Sequence, residues 1–133
     1  MGIQGLNDLL FFAEHYPAHA RSILEHANDP LQWYPFAIVG INITKFNYQL
    51  VESKKLQLYL FEYGTDERAF QEFYCYLFYK FDQFWMFTVM EFESKFNEFK
   101  FIVEKELMQQ KVKPFSMLIQ DNLQIYKDDK KLN

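Results

Sequence analysis

Apolar residues recur along most of this chain with the spacing of α-helices, and the polar positions between them mark where each helix stops. Over Ile3–His15, Ile3, Leu6, Leu9, Leu10 and Ala13 share one side at about 100° per residue, with Gln4, Asn7, Asp8 and Glu14 opposite. Phe11 is the misfit, projecting among polar residues either to pack on a neighbouring element or to meet a partner. Pro17 starts a second helix with a narrow stripe of Ala20, Ile23, Leu24 and Ala27, closed by Asn28-Asp29-Pro30. The most apolar element follows, a helix predicted over 34–53. Pro35 falls in its first turn, and Phe36, Val39, Ile43, Phe46 and Leu50 line one face, widened by Ala37, Ile41 and Tyr48. Such a helix is expected to lie at the centre of its fold, with Gly40 admitting close approach of a neighbour.

Residues 56–63 alternate partly, as a strand would, yet no second strand is available to pair with them, so a short helix or irregular buried segment is expected. Thr65 then reads as an N-cap to a helix reaching about Trp85. Phe70, Phe73, Tyr74, Leu77, Phe81, Phe84 and Trp85 converge on its broad face, with Gln71, Glu72, Cys75, Tyr79, Asp82 and Gln83 opposite. Thr88 and Glu91 form a capping box ahead of a last long helix with a stripe of Val89, Phe92, Phe96, Phe99, Val103 and Leu107; Glu91 and Lys95 are spaced as an exposed ion pair. The helix fades near Gln110. Phe115, Met117, Leu118 and Ile119 are placed to dock back on the body, ahead of a charged tail from Lys127. The expectation is one all-α domain of five or six helices around residues 34–53.

Composition agrees. Of 133 residues, 50% are hydrophobic and 20% aromatic, with only 4 glycines and 4 prolines, far from the profile of a disordered chain. A formal charge of −4 argues against a nucleic-acid surface. No apolar run approaches the ~20 residues of a membrane span, and no leader-like segment follows Met1. The single Cys75 cannot form an internal disulfide, which points to a reducing compartment such as the cytosol.

Catalytic chemistry is sparse. His19 and His26 share a helix face two turns apart, about 10.5 Å, too far to ligate one metal, and His15 adds no cluster. Cys75 has no histidine near it in sequence to activate it. Gly2-x-x-Gly5 before a helix lacks the lysine and the strand of a phosphate-binding loop. Neither metal nor cofactor is expected.

Four blocks of sequence carry a resemblance. Tyr34-Pro-Phe-Ala-Ile-Val-Gly-Ile-Asn-Ile-Thr44 resembles the signature of the ELMO domain. Gly5-Leu-Asn-Asp-Leu-Leu-Phe-Phe-Ala-Glu14 is similar to that family's Gly-Leu-x-Asn-Leu-x-Tyr/Phe-Phe-Ala helix. Phe73-Tyr-Cys-Tyr-Leu-Phe-Tyr-Lys-Phe-Asp-Gln-Phe-Trp85 and Met90-Glu-Phe92 with Lys95-Phe96 resemble two later blocks. The resemblance covers roughly 1–110, implying an ELMO domain, in its carboxy-terminal portion, over 1–112 and an extension over 113–133.

It implies a regulator rather than an enzyme in its own right: a GTPase-activating protein for Arf- or Arl-like small GTPases. The family's catalytic arginine stands in a motif directly ahead of Met-Gly, so here it would precede Met1. Arg21 and Arg68 match no such context, and the chain as given is expected to lack arginine-finger activity, either as a fragment or as a short form that binds without catalysing. The alternative is an engulfment-type adaptor that assists a Dock-type exchange factor acting on Rac in actin remodelling and phagocytosis. The residues nominated for partner contact are Gly2, Gly5, Phe11 and Asn42.

Overall fold

The computed structural model describes residues 2–132, and among them the chain forms seven α-helices and no strand. They are α1 (Gly2–His15), α2 (Pro17–Ala27), α3 (Phe36–Glu52), α4 (Gln57–Tyr63), α5 (Glu67–Phe84), α6 (Phe92–Met108) and α7 (Phe115–Leu132). Met1, which the resemblance aligns with an internal methionine, lies outside the described residues, as does Asn133. The all-α expectation holds.

Helix starts are set by local chemistry. Asp29 Oδ1 accepts from the backbone N–H of Leu31 (2.8 Å) and Gln32 (2.9 Å), folding the turn after α2. Pro35 sits at the N-cap of α3 in extended backbone rather than in its first turn, so the helix begins at Phe36 and leaves Tyr34 free to bury its ring. Residues 57–63 are helical, and Gly64 ends α4 at φ +103°, a conformation that side chains resist. Asp66, not Thr65, caps α5, because its side chain accepts from Ala69 N–H at 2.9 Å. The Thr88–Glu91 capping box is present, followed by a 3-10 turn (Val89–Glu91) before α6. Glu91 is occupied by that box, and Lys95 pairs instead with Glu98 at 3.2 Å.

The predicted face of α3 buries Val39, Ile43, Phe46 and Leu50. Yet the helix enclosed on the most sides is α5, which packs against α1, α2, α3 and α7. Part of its expected polar face is not solvated: Glu72 and Cys75 are as buried as Phe73, Tyr74, Leu77 and Phe78, and Gln71, Tyr79 and Asp82 are half-buried, whereas Gln83 is exposed. The reason is α7. Phe115 returns over α5 and sets its ring 5.3 Å from Tyr79, 5.8 Å from Phe12 and 4.8 Å from Tyr16. Glu72 tolerates burial because Tyr16 Oη donates to both its oxygens (2.7 and 2.8 Å), Ser116 N–H donates at 3.0 Å, and Arg68 lies 3.5 Å away. Leu118 and Ile119 are half-buried as expected, Met117 is exposed, and Lys127–Lys130 extend α7 as a solvated helical end.

Candidate functional site

α1 and α3 cross where a glycine lets them. A Cβ on Gly5 would stand 3.3 Å from Ile41 Cγ1 and 3.6 Å from Ile41 Cα, so even a methyl there would require the Ile41 side chain to give by a few tenths of an ångström. One turn on, Thr44 Oγ donates to Asp8 Oδ2 at 2.7 Å, and Gln4 Nε2 donates to Asp8 Oδ1 at 2.8 Å. Gly5, Asp8, Phe11 and Phe12 are therefore the inward face of α1. This reverses the expected orientation of the helix: Ile3 (81% exposed), Leu6 (56%) and Leu10 point outward, and only Leu9 is half-buried. Apolar counting assigned Asp8 to solvent, but two side-chain donors and a glycine crossing outweigh the exposure of three aliphatic side chains.

The Asp8–Thr44 bond forms the floor of a cleft of about 410 Å3 between α1, α3 and the start of α5. Its other walls include Asn47, Tyr48, Val51, Glu67, Phe70 and Gln71. Burial pushes the Asp8 carboxyl up; the hydrogen bonds from Thr44 and Gln4 oppose that shift, and the Glu67 charge adds to it. None of these wall residues was singled out from sequence. The available signal was the spacing of Gly5, Asp8 and Phe12, which share a face at three and four residues.

The nominated contact residues do not converge. Gly2 is exposed in the first turn of α1, whereas Gly5 is buried in the helix crossing. Phe11 is only 8% exposed, stacked 4.1 Å from the His15 ring with Arg68 5.8 Å above it, so it takes the packing role. Asn42 is half-buried on α3 and lines a separate cleft with Lys45, Gln49 and Lys100. Burial pushes the Cys75 thiol up, away from a reactive thiolate. Among the described residues no group of three His, Cys, Asp or Glu side chains is placed to hold a metal ion, and no helix is long and apolar enough to cross a membrane.

One histidine is tied to the fold. His26 Nδ1 lies 2.6 Å from Asp82 Oδ2, and Tyr34 Oη donates to Asp82 Oδ1 at 2.7 Å, joining α2, the turn and α5. The hydrogen bond and charge of Asp82 raise the His26 pKa. A raised folded-state pKa gives a contribution present in full below the unfolded value and lost as pH climbs through the folded one. Stability should thus fall by a few tenths of a kcal/mol across that window, small because the imidazole is largely exposed. Burial lowers the His19 pKa, which acts in the opposite sense. Urea unfolding of the native chain and of His26→Gln at pH 5.5 and 8 isolates the His26 part; equal pH dependence in both would count against it.

Comparison with known proteins places the chain in the class of ELMO-domain proteins. The chain belongs to the ELMO/CED-12 family, whose profile matches residues 1–96. It is 42% identical over 104 residues to ELMO domain-containing protein 2 of Mus musculus, covering 75% of this chain and 35% of that protein. It is 36% identical over 104 residues to ELMO domain-containing protein B of Dictyostelium discoideum (75% and 36%), and 29% identical over 139 residues to ELMO domain-containing protein 1 of Homo sapiens (80% and 42%). The chain thus spans between 35% and 42% of the length of these relatives. No solved structure matches it.

Proposed function

We propose that this chain is the GTPase-facing part of a cytosolic ELMO-domain regulator of Arf- or Arl-like small GTPases, and that it supplies no arginine finger from its own residues. Membership of the ELMO/CED-12 family is the observation that carries the reading. The disposition of the two arginines agrees with it. Arg68 is held beside Glu72 and over Phe11, and Arg21 lies on α2 away from any cleft described above. A finger must reach out of its own scaffold to neutralise charge on the phosphates; Arg68 is tied instead to Glu72 and Phe11, and Arg21 stands in no context like the family's arginine motif. The outward face of α1, with Gly2, Ile3 and Leu6 exposed together, is the surface assigned to the GTPase.

Single-turnover hydrolysis on an Arf-like GTPase tests this. The 133-residue chain should leave the rate unchanged, whereas the chain extended upstream by a family-type arginine segment should raise it by about 10³–10⁵. An unchanged rate with the extended chain defeats the reading. Capture of a Dock-type exchange factor without any effect on hydrolysis would favour the adaptor role instead.

A further inference from the structure

The last helix is seated on the body like a ligand. It is held by its first turns alone: Phe115 is fully buried against Phe12, Tyr16, His19 (5.2 Å) and Tyr79, and Leu118 and Ile119 are half-buried. Asp121–Lys130 are exposed throughout, Leu123, Ile125 and Tyr126 among them. The N-terminus of α7 has no cap of its own, because neither Lys113 nor Pro114 carries a side-chain acceptor. The cap comes from α5: Glu72 Oε2 accepts from Ser116 N–H at 3.0 Å, where the helix dipole favours a carboxylate. Both the anchor pocket and the cap are thus supplied by the body. Helices in proteins draw most of their stability from packing, so α7 off the body should unwind.

Site and occupant also belong to different parts of the chain. Phe12, Tyr16, His19, Glu72 and Tyr79 all lie within residues 1–96, which the family profile matches, whereas α7 lies wholly beyond them. Between α6 and α7, residues 109–114 form no helix, and Gln110 is held at φ +56°, a conformation that side chains resist.

We propose that α7 is a detachable strap, and that the site beneath it docks a segment of a partner protein that folds into a helix there. The partner segment has the chemistry that α7 displays: an aromatic residue opening a helix, a first turn free of acidic residues, and an uncapped N–H one position on. Its ring enters the pocket of Phe12, Tyr16, His19 and Tyr79, and Glu72 closes the helix start. One anchor fills the pocket, so partner and strap exclude each other. The assignment does not rest on the GTPase reading, which uses the outward face of α1.

Amide exchange in the native 133-residue chain tests the strap. The amides of Ser116, Leu118 and Ile119 should exchange about tenfold faster, or more, than those of Tyr74–Phe81, because α7 opens without the core. Equal rates would make α7 one unit with α5 and overturn the proposal. An NMR titration tests the site, with an acetylated, amidated peptide of residues 113–126 as the probe. The peptide should shift amides around Phe12, Tyr16, Glu72 and Tyr79. It should bind the Phe115→Ala chain about tenfold more tightly, or better, than the native chain, whose own strap competes. Phe115→Leu leaves a smaller void, and should bind the peptide severalfold more tightly than the native chain even if Phe115→Ala does not fold. A peptide that itself carries Phe115→Ala should bind neither variant. Equal affinity of the native and loosened chains, shifts confined to other surfaces, or full binding of the altered peptide would each overturn the site. Dimerisation of the native chain that Phe115→Leu abolishes would give the site to a second copy and overturn the choice of partner.

Discussion

Replacing Glu72 by alanine should cost about 3 kcal/mol of folding stability, well beyond an ordinary surface change. The carboxylate joins three parts of the chain distant in sequence: Tyr16 between α1 and α2, its own helix α5, and Ser116 in the first turn of α7. Without it, the Ser116 N–H and the Tyr16 hydroxyl lose a charged acceptor in a place with little water, and a void opens beneath Phe115. Glu72→Gln retains one acceptor oxygen and the shape, and should lose about half as much. Coupling between Glu72→Gln and Tyr16→Phe, read from denaturant midpoints in a double-mutant cycle, should be about 1 kcal/mol. Additive effects would show that the pair works independently.

Phe12→Ala should be as damaging, at about 3–5 kcal/mol, with Phe12→Leu costing less than half of that. The ring is fully buried and meets Phe78 at 6.0 Å, Phe115 at 5.8 Å and Tyr16 at 6.3 Å, so it belongs to the packing of α1, α5 and α7 at once. Truncation leaves a void bounded by rigid rings that cannot rotate to fill it. Urea unfolding of both variants checks this, and a loss under 1 kcal/mol for the alanine variant would mean that α7 contributes little to the core.

The chain declared its helices more clearly than their orientations. The stripe of Val39, Ile43, Phe46 and Leu50 was legible because its apolar residues recur every three or four positions, even though Thr44 and Asn47 are buried beside it. On α1 the same reading turned the helix to face the wrong way. Hydropathy scores Asp8 as a solvent residue and Gly5 as nothing, while their burial depends on Thr44 and Ile41, more than thirty residues away. The polar side of α5 failed likewise: Glu72 is inside because of Tyr16 and Ser116, partners that no helical period reports. The Thr65-for-Asp66 slip is of another kind, since two adjacent cap-forming residues compete and the backbone settles between them. The cleft was illegible for the first reason, being defined by side chains from three helices around a carboxylate assumed to be outside.

The position of Cys75 makes it a clock. Its thiol lies at zero exposure on the helix that α1, α2, α3 and α7 pack against, and burial holds it protonated. Fraying of an end or movement of a loop leaves it shut in, so an alkylating reagent can reach it only when α5 itself comes away from the core. The rate at which that one sulfur is consumed therefore measures how often the whole domain opens, on a timescale of minutes to days that equilibrium unfolding does not report.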